Sequence, residues 1–284
     1  MTTSTPTHHG RIRAHIGHAP DSAGSRVARL ATDTPLKLAP ARTRDRDGAV
    51  ELVVMEASPG LFPGDRYDLD WALAPGARAR IGTQAHLRVH GTPESTGDDD
   101  AHPSVLRQRI DAGPGARVEL RPEPIVLHDR ADLDAALEVH LRADATAIVV
   151  DVTTAGRIAH GERLRFTRWR SCLDLHIDGQ LVAASRQLLE PAAIGVDVAA
   201  RLAGGATHWA TLHAACGAWD AATCEQLRER MQAMIDETAR AGSSAHGHIS
   251  GAADLLERAG VVVQLRGNSA QPLVALLDRL ATPA

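Results

Sequence analysis

The chain has 284 residues, 44% of them hydrophobic and 23% charged, with a net charge of -4. That length supports a core large enough to need no disulfide or metal staple, and the balance argues against intrinsic disorder. A slightly acidic chain without a dense Lys/Arg stripe also lacks the electrostatic footprint of a nucleic-acid binder.

Aromatic residues make up only 2%, so Val, Leu, Ile and Ala must build the core, and Lys37 is the sole lysine. The cysteines, Cys172, Cys216 and Cys224, form no C-x-x-C pair. An odd count of unpaired thiols fits a reducing cytoplasm. The N-terminal stretch carries no apolar run of signal-peptide length, and no segment approaches the ~20 apolar residues of a membrane helix. The expectation is a cytoplasmic protein that meets neither membrane nor nucleic acid.

In chain order, period-two alternation comes first. Tyr67, Leu69, Trp71 and Leu73 alternate with Arg66, Asp68 and Asp70, which predicts a half-buried strand over 66–73. Residues 77–90 alternate for longer and predict one long strand with His86 and His90 on its solvated face. Residues 91–103 read as a surface loop. Pro-Gly-Ala-Arg occurs at 75–78 and again at 114–117, a recurrent turn between stacked strands. Alternation over 135–142, 162–169 and 172–177 predicts three further strands, and Asp178-Gly179 is a hairpin signal.

The period then changes. Thr223-x-x-Gln226 has the form of a capping box, Leu227, Met231, Met234 and Ile235 make a helical stripe, and Gly242 is placed to stop it. A short strand over 261–265 and a helix over 272–280 follow. No linker forces a boundary, so the expectation is one mainly-β domain over 1–284 with a helical element at about 220–281.

Motif searches for chemistry return little. A P-loop, an H-E-x-x-H helix and a G-x-S-x-G elbow are all missing from the sequence. Of the fifteen histidines, His8-His9 read as part of an N-terminal tail, and His246-Gly-His248 could aim two imidazoles to one side without an evident third ligand. The Arg residues flanking His86 and His90 disfavour a cation there. A carboxylate pair for glycoside chemistry is not favoured by any spacing.

Between Pro59 and Pro191 the order of short motifs carries a resemblance. Pro63-Gly64-Asp65-Arg66-Tyr67-Asp68-Leu69 resembles Gly-Gly-Asp-x-Tyr-x-Leu, and Gly82-Thr83-Gln84-Ala85 resembles Thr-Thr-Gln-Ala. Arg107-Gln108 fits an Arg-Gln step, and Arg121-Pro122-Glu123-Pro124-Ile125 resembles Pro-Gln-Pro-x-Ile. Gly156-Arg157-Ile158-Ala159-His160-Gly161-Glu162 matches Gly-Arg-x-Ala-x-Gly-Glu throughout. The family so resembled is the urease accessory protein UreD family, best matched over 59–191. The chain departs from it at Gly82 (usually Thr) and Glu123 (usually Gln), in an enlarged loop over 91–103, and in lacking an aromatic, basic tail.

The resemblance implies a long stacked, β-helix-like sheet with two C-terminal α-helices and a non-enzymatic role. It implies a scaffold that binds apo-urease and UreF, with UreG docking on UreF, while nickel passes through polar internal routes. No cofactor would be held tightly, and Ni(II) would be in transit. Weak donors suit a conduit that must release its cargo, and the candidates are Asp65, Thr83, Gln84, Glu123 and Glu162. Each also has a purely structural reading, such as a turn cap for Asp65 or an Arg–Glu pair for Glu162. The competing functions are a stand-alone β-helical or β-sandwich enzyme acting on a carbohydrate or small molecule, and a protein-binding module unrelated to nickel.

Overall fold

The computed structural model describes residues 8–18, 24–39, 42–43, 47–93, 102–241 and 248–282. The chain is mainly β, wound as a coil between two sheets. β1 (His9–His18) and β2 (Ser25–Asp33) form a hairpin, followed by β3 (Leu36–Leu38), β4 (Arg42–Thr43) and β5 (Val50–Glu56). Three circuits follow. β6 (Arg66–Leu73) leads to β7 (Arg78–Thr83) and β8 (Leu87–Val89). β9 (Ser104–Ala112) leads to β10 (Arg117–Leu120) and β11 (Ile125–Leu127), and β12 (Asp132–Leu141) to β13 (Thr146–Thr154). β14 (Arg168–Ile177) and β15 (Gln180–Leu189) close the first sheet as a hairpin on Asp178-Gly179, whose φ values are 49° and 79°.

The first sheet runs β15-β14-β12-β9-β6-β1-β2, with β1, β6, β9, β12 and β14 all parallel. In-register stacking puts like positions in rows, so Trp71, Ile110, Val139 and Leu175 line up on the inner face. The outer face stays in water, unusually for a parallel sheet. Its rows are laced by ion pairs between neighbouring strands, such as Arg109–Glu138 at 2.9 Å and Arg170–Asp134 at 2.8 Å.

The second sheet contains parallel β5, β7, β10 and β13, then antiparallel β16 (His208–Cys216), β18 (Gly260–Gly267) and β17 (Ile249–Leu255). Two short helices, α1 (Pro191–Ile194) and α2 (Val196–Leu202), link β15 to β16. α3 (Ala221–Ala241) and α4 (Ala270–Ala281) lie near the C-terminus. Leu273, Leu276, Leu277 and Leu280 of α4 share a buried cluster with Ile148, Val150 and Val152 of β13, which α4 contacts, while Met231 and Ile235 of α3 join the same cluster from over β17 and β18. β13 is therefore covered on both faces, which explains its almost unbroken apolar sequence.

The Pro-Gly-Ala-Arg turns stack one on the other. Gly76 N donates to Pro114 O at 2.8 Å, and Gly115 N to Asp144 Oδ1 at 2.6 Å. Positive φ at Gly76 (71°) and Gly115 (66°) is what the tight corner requires. The third corner, Ala143-Asp144, turns at the same place in its circuit without the motif, but its positive φ, 44°, falls at Ala143, the first of the two central residues instead of the second.

Several expectations are corrected. The strand expected over 77–90 is two strands, because the Thr83 hydroxyl bonds Ala85 O at 3.1 Å and turns the chain out of the ladder. Residues 162–167 precede β14 and lie outside any strand, although Leu164 and Phe166 are buried as their alternation suggests. Leu164 has a φ of 57° and its N bonds Ala155 O, so burial there comes from a packed loop. α3 begins before Thr223, and its cap is Asp220, whose carboxylate accepts Thr223 N at 2.8 Å. His9 starts β1 and is not in a tail: its ring reaches Asp68 at 2.5 Å. Gly242, His246 and most of the 91–103 loop lie outside the described residues.

Candidate functional site: a polar channel between the sheets

β7 ends at Thr83 and β10 ends at Leu120, at the same level of two successive circuits. The chain resumes the sheet only at β8 and β11, while β13 runs on unbroken beside the gap between β10 and β11. β10 accompanies β13 as far as Val149 and β11 rejoins it at Thr153, so a window is left beside Val150–Val152. The two gaps are tied together, since Glu123 N donates to Thr83 Oγ1 at 2.9 Å.

Behind the window lies a cavity of about 280 Å³ running between the sheets across the stack. It reaches the surface at the exposed residues Gln84, Ala85 and His86. At the rim, the His86 ring stands 3.4 Å from the Glu123 carboxylate. Nearby, Ser58 and Tyr67 both donate to the Glu56 carboxylate, and burial pushes the Tyr67 hydroxyl well above its ordinary pKa.

Further in, Gln108, Ser171, Ser185 and Gln187 border the cavity from the first sheet, and Asp151, Thr211 and His213 from the second. Register places Asp151 opposite Thr211, and Val149 opposite His213. Asp151 lies deep between the sheets and bonds Ser171 across the gap. It keeps some accessible surface, which at that depth is surface facing the cavity. Burial raises its pKa from 3.8 to about 6 and lowers that of His213 from 6.5 to about 4. The His213 and Trp71 side chains line this cavity as well, and their Nδ1 and Nε1 are buried with no hydrogen-bond partner within the protein.

Of the five residues singled out in the sequence, the fold brings Thr83, Gln84 and Glu123 together at the window. Asp65 and Glu162 sit elsewhere. Asp65 is buried and caps a turn, its carboxylate accepting His8 N at 2.7 Å and Phe62 N at 2.9 Å. Glu162 is gripped by Arg157 in a two-bond pair and accepts Asp129 N at 3.3 Å. The Arg157 hydrogen bond holds its carboxyl below the ordinary range. Beside it, burial and the neighbouring His90 and Arg157 depress His128 to about 4.

Sequence reasoning missed Asp151, Ser171 and His213. The signal for Asp151 was a single carboxylate inside an apolar run, and His213 interrupts the small, apolar β16 in the same way. Among the described residues no three His, Cys, Asp or Glu side chains assemble as a metal site, and the three thiols are free. The helices include none long and apolar enough to cross a membrane, again among the described residues.

Fold and site together define a two-sheet β-coil enclosing a cavity with scattered polar groups, with a helical pair on one flank. Comparison with known proteins agrees with that class: a family profile described as "UreD urease accessory protein" matches residues 8–283. The chain belongs to the UreD urease accessory protein family. It is similar to urease accessory protein UreD 1 of Brucella melitensis, 32% identical over 193 residues, which span 68% of this chain and 65% of that relative. It is also similar to UreD 1 of Methylobacterium radiotolerans, 29% identical over 272 residues, covering 95% of this chain and 86% of the relative. With the UreD of a Chelativorans species it shares 35% identity over 146 residues, about half of each chain.

Proposed function

We propose that the chain is a non-catalytic urease maturation factor that carries nickel toward apo-urease through the channel between its sheets. The observation that carries this reading is the window: a break in the sheet opens a largely apolar cavity to the surface, and polar side chains stand at intervals along its wall. Its donors are hydroxyls, amides, scattered imidazoles and single carboxylates. A divalent cation would find weak stations among them and no closed cage, as delivery requires. Thr83, Gln84 and Glu123 act at the mouth, Asp151 and His213 inside. Asp65 and Glu162 serve the route indirectly, by fixing the turns that shape it.

The partners in this reading are apo-urease, UreF and, through UreF, UreG, in the cytoplasm. Large apolar side chains exposed along β15 and the short helices, among them Leu188 and Leu202, suit a chain that works inside an assembly.

The test is to plug the lumen without touching its polar groups. Ala135 points inward from β12 and borders the cavity. In a host dependent on this gene, Ala135→Leu is expected to give soluble protein, nickel-poor urease and the loss of most urease activity. Arg13→Ala, on the outer face, serves as control. Full urease activation by a folded Ala135→Leu variant would overturn the channel reading.

A further inference from the structure

We propose that His86 and Glu123 form a two-donor docking point for a divalent first-row transition cation at the mouth of the channel. The inference deepens the channel reading and rests on it only for the identity of the cargo, Ni(II).

The two side chains come from the two turns that interrupt β7 and β10, and the Glu123 carboxylate brought against His86 there offsets the flanking arginines that by sequence disfavour a cation. His86 Nε2 and Glu123 Oε2 are 3.4 Å apart. Imidazole nitrogen and carboxylate oxygen bind such ions at about 2.1 Å, and two bonds of that length to donors this far apart enclose an angle of about 110°. Ni(II) with such donors prefers about 90°, which needs them about 3.0 Å apart, a closure that small side-chain rotations supply without moving the backbone. Glu123 N is already fixed to Thr83 Oγ1 at 2.9 Å, which holds the carboxylate-bearing turn against its neighbour. Both side chains are about half exposed, at 51% and 45%, so an arriving ion keeps water on its remaining positions.

A second observation points inward from the same place. His213, 3% exposed, borders the same cavity, and its Nδ1 has no partner within the protein. An ion leaving the rim therefore has a further imidazole donor ahead of it. Two protein donors, with no third among the described residues, make a site that captures weakly and releases, unlike a closed structural site. The motif this chain resembles usually has glutamine where Glu123 stands. Glutamine keeps an oxygen donor there but removes the negative charge.

The experiment uses untagged full-length protein at pH 7.5, titrated with NiCl2 alone. Calorimetry and paramagnetic broadening of histidine side-chain resonances follow wild type, His86→Ala, Glu123→Gln and, as control, His248→Ala. Wild type is expected to bind one ion in the micromolar range, with broadening centred on His86. Loss of a direct ligand should weaken binding by at least about tenfold in His86→Ala, as even outer-shell changes cost that much. Glu123→Gln should weaken it severalfold, and His248→Ala should bind as wild type. Circular dichroism confirms that the variants fold. Unchanged binding in both His86→Ala and Glu123→Gln, or broadening centred on other histidines, overturns the docking point. Because the readout is nickel binding, a docking point that survives while Ala135→Leu activates urease normally would leave the site standing and remove the route.

Discussion

At the scale of single residues, the interior of the channel sets two opposite titrations side by side. Asp151 has a folded pKa of about 6 against an ordinary 3.8, so at intermediate pH the folded chain holds a proton that the unfolded chain has released. Its contribution to stability therefore falls as pH rises from about 4 to 6. His213, at about 4 against 6.5, does the reverse, and its contribution rises over nearly the same window. The two largely offset each other in the intact protein. In Asp151→Asn the falling contribution disappears. Melting temperatures of variant and wild type, compared from pH 4 to 6.5, should shift in the variant's favour as pH rises. A difference that stays constant across that range would mean that Asp151 is not held protonated by the fold.

At the scale of elements, the loop before β14 shows how one motif contains two different glycines. Gly156 has a φ of 133°, and a β-carbon there would stand 1.6 Å from Glu162 O, inside the backbone of the motif's own end. Gly161 has a φ of 76° and nothing within 4 Å of where its β-carbon would go. Alanine at 161 should therefore cost only its left-handed backbone, about 1–2 kcal/mol. At 156 it must also displace the segment that carries Glu162, and the loss should be clearly larger. Thermal unfolding of the two alanine variants checks this, and equal losses would contradict the packing. The same loop explains why the Arg157–Glu162 pair is fixed: Gly156 brings the chain back so closely that Glu162 reaches both Arg157 and Asp129 N.

At the scale of the whole molecule, the balance of covered and uncovered surface is uneven. α3 and α4 shield the outer face of the second sheet, whereas the stretch from β15 through α2 leaves Leu181 (51%), Leu188 (62%) and Leu202 (70%) in water. Apolar surface concentrated in this way drives a lone chain to self-associate. The isolated protein should form concentration-dependent oligomers, and Leu188→Ser with Leu202→Ser should reduce them without lowering the melting temperature. Sedimentation at two concentrations tests this. Identical association in the double variant would place the sticky surface elsewhere.

The sequence by itself determined what local patterning can encode. Alternation over 66–73 gave β6 to the residue, Asp178-Gly179 gave the hairpin, and the stripe from Leu227 to Ile235 gave the buried face of α3. The repeated Pro-Gly-Ala-Arg turns were legible because a tight corner needs positive φ, and glycine announces it. The ordered motifs between 59 and 191 likewise sufficed to point to the family. Three of the five candidate residues, Thr83, Gln84 and Glu123, proved to meet at the window, though nothing local says that residues forty apart will touch. Tertiary structure alone decided the rest. The break after Thr83 depends on a side-chain bond and on the turn stacked above it, so unbroken alternation concealed it. The third corner at Ala143 makes an equivalent turn with a different backbone and no motif, and Ala143 N is held by the Asp178 carboxylate. Asp151 and His213 became channel residues only when parallel register faced one sheet's polar rows toward the other's. Period two says which side of a strand a residue occupies, and only stacking says what lies opposite.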